Sequence, residues 1–231
     1  MDTRRSTGRA ARFATLALVA LLSGFLAWTL PRAEAEPTVS AGHQAHVTAP
    51  RTTGQQALHD QMRKLWEDHV TWTRLAIVTF ADGSAGFDAT AGRLLQNQVD
   101  IGDAIKPFYG AAAGDQLTVL LTDHITTAVE LLQAAKAGDD AAFASARERW
   151  YANADDIAAF LSAANPRSWP PDLMRADMRM HLDQTLSEAA HELAGDHAAS
   201  IADYEEVHAH ILAMADLLSD GLARAFPGLV R

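Results

Sequence analysis

Cysteine is missing from all 231 residues. Disulfides and thiolate metal sites are therefore excluded, stability has to come from packing, and any metal has to be held by nitrogen and oxygen. No Gly-x-Ser-x-Gly elbow and no phosphate-binding Gly-rich loop occurs, which leaves nucleophilic and nucleotide chemistry without support. Strand signals are absent as well. Basic charge is short: 19 Lys and Arg stand against 29 Asp and Glu, a net of −10. Five of the arginines but only two acids fall in residues 1–35, so the rest of the chain is more acidic still. Such a surface repels nucleic acid and anionic lipid.

The one long apolar run lies at the start. Arg4, Arg5, Arg9 and Arg12 precede a mostly apolar stretch over residues 13–30, and Ala33-Glu34-Ala35 offers a small-x-small cleavage site. Residues 1–35 read as a signal peptide or a signal anchor, with the basic end in the cytoplasm and the rest outside, either secreted or held to the membrane by this segment. Residues 36–53, rich in Pro, Thr, Ala and Gly without a period, read as a flexible linker in which His43 and His46 have no specific role. Residues 54–231 form one domain's worth of chain.

That domain divides into six amphipathic segments: about 55–80, 88–106, 115–137, 140–164, 172–194 and 198–225. The stops are Asp82-Gly83-Ser84, Lys106-Pro107, Gly138, Asn165-Pro166, Gly195 and Pro227-Gly228, with Asp115 a candidate N-cap. Short connections imply an all-α, six-helix antiparallel up-and-down bundle, with the loop 166–171 and its Trp169 as a lid over one end.

Most apolar seams carry one polar residue. Leu58, Met62, Leu65, His69, Trp72 and Ala76 share one face of the first helix. The second has Leu94, Asn97 and Ile101; the third Leu120, His124 and Thr127; the fourth Trp150, Asn153 and Ile157. On the sixth, Ile201, Tyr204, His208, Ile211, Ala215, Leu218 and Leu222 alternate by three and four, while His181 sits on the flank of the apolar stripe Met178, Leu182, Leu186, Ala189 and Leu193. A shift of 84 positions places Trp66 on Trp150, His69 on Asn153, Asn97 on His181 and His124 on His208. It suggests two diverged three-helix copies, about 54–137 and 138–231.

His69, Asn97, His124, Asn153, His181 and His208 all fall near the middle of their helices, which predicts a buried layer at a common height. Leaving such groups unpartnered costs about 1–3 kcal/mol each, so they satisfy one another, enclose water or bind something. Asp100 and Asp156 lie one turn after the two asparagines. Four imidazoles with one or two carboxylates suit a transition metal (Zn, Cu, Fe or Mn), with His69, His124, His181, His208, Asp100 and Asp156 as candidate ligands and Asn97, Asn153, Trp66 and Trp150 around them. The alternative is a structural or interaction bundle with a self-satisfied polar core; a small organic ligand and a metal-dependent oxidoreductase are weaker readings. Glu188-x-x-His191 and Glu205-x-x-His208 match the spacing of di-metal bundles, but that motif is common in acidic helices. His59, His191, His197 and His210 read as surface residues.

The segments LWEDHVTWTRLAI (65–77), RLLQNQVDIGDAIKPFYG (93–110) and RWYANADDIAAFL (149–161) resemble a group of uncharacterised bacterial helical-bundle proteins, secreted or membrane-anchored. The likeness spans most of residues 60–227 and implies a bundle fold but no activity. Some members carry a glycosyltransferase label, yet this sequence has no alternating strand and helix pattern, no Asp-x-Asp and no nucleotide loop.

Overall fold

A computed structural model describes residues 50–231. The segment read as a leader, and all but the end of the linker, lie outside the described residues. Six helices account for almost all of the domain: α1 (Thr53–Ala81), α2 (Phe87–Tyr109), α3 (Ala111–Ala137), α4 (Asp140–Ala164), α5 (Pro171–Ala194) and α6 (His197–Ala225). No strand occurs among the described residues. No described helix is long and apolar enough to cross a membrane. Each helix packs on its neighbours in sequence and α6 returns to α1, which closes the six into a ring around one core.

Local chemistry sets most boundaries. Thr52 and Gln55 form a reciprocal capping box at the start of α1, while Asp139 and Asp196 accept from the backbone of Ala142 and Ala199 to start α4 and α6. Gly138 and Gly195 close α3 and α5 in the left-handed conformation, at φ 68° and 78°. The α2–α3 junction differs from expectation. Helix α2 runs through Pro107, whose missing N–H costs a single bond in the last turn, and stops at Gly110. Helix α3 then begins at once with Ala111, and Asp115 pairs with Lys106 at 2.6 Å instead of capping.

At one end of the bundle, Trp169 is 2 % exposed and lies over Gly221, where an added Cβ would run into the indole nitrogen. Its indole N–H donates to Leu217 O at 3.3 Å, Ser162 donates to Trp169 O at 2.8 Å, Tyr109 packs on it, and Phe226 packs on Tyr109. The expected lid is thus an aromatic plug. The start of α1 meets the last residues nearby, with Gly54 N donating to Arg231 O at 3.0 Å and Thr52 Oγ1 to Val230 O at 2.9 Å.

Two seams depart from the apolar pattern. On α5 the buried line is Met174, Met178, His181, Thr185, Glu188 and Glu192, an unbroken alternation of four and three that includes two carboxylates. On α6 it is Ser200, Val207, Ile211, Met214 and Leu218, so Ile201 is 54 % exposed. Ser200 turns inward, and its hydroxyl accepts from the half-buried Arg74. This rotates the first half of α6 and carries His208 away from the core.

Candidate functional site

Mid-bundle, three imidazoles converge. His69 from α1, His124 from α3 and His181 from α5 are each 3 % exposed. The His181 ring centroid lies 5.7 Å from that of His69 and 6.3 Å from that of His124. Trp66 meets His69 edge-on at 5.7 Å and Trp150 stacks on His124 at 5.3 Å. A chain of five rings, Trp66–His69–His181–His124–Trp150, therefore crosses the core.

Each imidazole belongs to a hairpin, and the three hairpins repeat one hydrogen bond. In α1–α2, Asn97 Nδ2 donates to Leu65 O at 3.0 Å; in α3–α4, Asn153 Nδ2 donates to Leu120 O at 3.0 Å; in α5–α6, His210 Nε2 donates to Asp177 O at 3.0 Å. In every case the accepting carbonyl lies four residues before the histidine of the first helix. Helical carbonyls have a second lone pair free, so a polar group on the facing helix can fix the register of the pair. This pattern divides six helices by three, whereas the 84-residue shift divides them by two; Trp66 and Trp150, both buried, keep to the latter.

The amides also orient the rings. Because Asn153 spends its nitrogen on Leu120 O, its oxygen faces His124 Nδ1 at 2.9 Å, which assigns the ring proton to Nδ1 and leaves Nε2 a free lone pair. Gln98 donates to Leu94 O at 2.7 Å and faces His69 Nδ1 at 3.3 Å with the same nitrogen. The Nδ1 atom of His181 is buried without a partner, as are Trp66 Nε1, Trp150 Nε1 and Gln98 Oε1. Burial keeps all three rings uncharged. It lowers His69 to about 3, aided by nearby His124, and His124 to about 4; His181 is held well below the usual histidine range by burial and then by His69, His124 and His210.

Three predicted participants lie elsewhere. His208 sits on the outer face with Nε2 3.3 Å from Glu67 Oε1, following the rotation of α6. Asp100 is bound to Gln96 at 3.1 Å and Arg93 at 3.5 Å, and Asp156 is exposed. A residue three positions after a seam residue is turned 60° from it, enough to reach solvent here. Conversely, His210, read as a surface residue, is half-buried beside His181 at 6.5 Å, and Gln98, 0 % exposed, was not anticipated. His59 is also half-buried, 2.8 Å from Asp216 through Nε2.

A second polar cluster was missed entirely. Arg74 of α1 meets Glu188 Oε1 at 3.2 Å and Glu192 Oε2 at 3.0 Å, and it donates to Ser200. The contact with Glu192 Oε2 is an ion pair without an aligned hydrogen bond. His197 Nδ1 reaches the other oxygen of Glu192 at 2.9 Å. Burial pushes Glu188 up to about 7 against the pull of Arg74; burial opposes the charge of Glu192 too, but Ser200, Arg74 and His197 together hold it below the usual carboxylate range. The four-and-three spacing from His181 to Glu188 and Glu192 was the available signal.

Among the described residues no three His, Asp or Glu side chains are grouped closely enough, as they stand, to hold a metal ion. Comparison of the chain with protein-family models, with curated proteins and with solved structures found no match.

Proposed function

We propose that this chain is a non-catalytic binding bundle working outside the cytoplasmic membrane, and that its imidazole layer takes one transition-metal ion on His69, His124 and His181. The observation that carries this reading is the meeting of three neutral imidazoles, one from each hairpin, with His181 Nδ1 left without a partner. Uncharged rings are ligand-ready, since a metal need not displace a proton. Asn153 holds His124 from its far nitrogen, as outer groups do around bound metals. His208, Asp100 and Asp156 are left out of the ligand set. Ligation requires the three rings to turn toward a common point. The export reading is supported by the basic and apolar start of the sequence.

A second reading has its own support. The repeated bond from Asn97, Asn153 and His210 to a helical carbonyl is a register device, and a bundle fastened in this way needs no ligand. Metal analysis of untagged protein, followed by melting with and without added zinc or copper, separates the two. One equivalent of metal, or a rise in Tm that His124→Ala and His181→Ala abolish and His208→Ala retains, supports the first. Metal-free protein with an unchanged Tm overturns it in favour of the second.

A further inference from the structure

On the side of the imidazole layer away from Trp169, five of the helices surround a partly open apolar cavity of about 50 Å³. Its walls come from α1, α2, α3, α4 and α5, among them Ile77, Leu94, Ile125, Ala128 and Leu132. Two threonines line it, and both have spent their hydroxyls: Thr73 Oγ1 donates to His69 O at 2.7 Å and Thr185 Oγ1 to His181 O at 2.8 Å. What remains toward the cavity is hydrocarbon. A buried water needs two to four polar partners, and this wall supplies none, although the space suffices for more than one water-sized particle. Apolar cavities of this kind stay dry and accept apolar atoms or molecules.

We propose that this cavity is a binding site for a small uncharged apolar molecule of a few heavy atoms, held beside Trp150. The indole belongs to the cavity wall and also stacks on His124 at 5.3 Å, and Thr73 and Thr185 lie one helical turn beyond His69 and His181. An occupant therefore sits one ring away from the imidazole layer, against a wall that offers water and charged species no polar partner. The site stands whether or not the layer holds a metal.

Xenon is the probe. The full chain, stripped with a chelator so that the metal reading plays no part, is followed by methyl NMR under increasing xenon pressure. Saturable shifts are expected at Ile77, Ile125 and Leu132, with Leu222 at the plugged end unmoved. Ala128→Leu, which fills the space, is expected to remove the saturable response, and Ile125→Val, which enlarges it, to strengthen binding. If Ala128→Leu does not fold, the Ile125→Val titration decides alone. Shifts that grow linearly at both ends of the bundle, a wild-type response in Ala128→Leu, or no strengthening in Ile125→Val would overturn the proposal.

Discussion

The core holds two polar regions that solve the same problem in opposite ways. In the imidazole layer every group is neutral: amides face the His69 and His124 rings within their hairpins, His181 Nδ1 has no partner, and burial keeps protons off His69 and His124. Around Arg74 the groups are ionic, with Glu188 and Glu192 only 1 % and 5 % exposed and a guanidinium shared between them. Neutral rings keep lone pairs that something else can use. The carboxylates instead face charged groups: Arg74 bridges Glu188 and Glu192, and His197 reaches the second oxygen of Glu192. On the proposed reading the layer is where a ligand binds, while the ionic cluster links α1, α5 and α6.

Acid breaks the comparison most strongly, because the two regions respond with opposite sign. The layer's rings have folded pKa values below the histidine reference of 6.5, so their stabilisation is full above that pH and is lost as pH falls toward about 4 and then 3. The loss is about 1.4 kcal/mol per pH unit for each ring that resists protonation. Glu188 is raised to about 7 from 4.5, so its contribution is full below 4.5 and is lost as pH rises through 7. Urea midpoints between pH 7.5 and 4.5 are expected to fall, and to fall more steeply in Glu188→Gln, which lacks the compensating group. Equal slopes would remove Glu188 from the account.

Breaking the ionic cluster comes next in size. Arg74→Met strands two buried carboxylates and is expected to cost about 3–5 kcal/mol at pH 7.5, read from the shift in urea midpoint. The cost shrinks at pH 5, where Glu188 is protonated in the variant. Within the layer, Asn153→Ala leaves His124 Nδ1 and Leu120 O without their partner at an expected cost of about 1–3 kcal/mol in the same measurement. At the small end, His208→Gln and Asp156→Asn touch neither region and are expected to stay within about 0.5 kcal/mol of wild type. A larger loss from His208→Gln would return that ring to the core.

Much of this arrangement was legible in the chain. Apolar periodicity and turn residues defined six helices, and polar residues interrupting the seams located His69, Asn97, His124 and Asn153. The misses on α5 and α6 share one cause, because the seams follow the most apolar residues. On α5 that choice hid Glu188 and Glu192, which occupy core positions only because Arg74 reaches them from α1. On α6 it preferred Ile201 to Ser200, and with that one-residue rotation His208 took the place that belongs to Val207. Partners brought together by tertiary packing leave no periodic trace in any single helix. The cavity is invisible for the same reason, since its walls come from five helices.

The central claim is that His69, His124 and His181 form a buried, uncharged layer, and imidazole nitrogen NMR tests it most directly. Titrated from pH 7.5 to pH 5, these three rings are expected to remain in the neutral form, with His124 showing a proton on Nδ1. Protonation of any of the three between pH 7 and pH 6 would contradict the account.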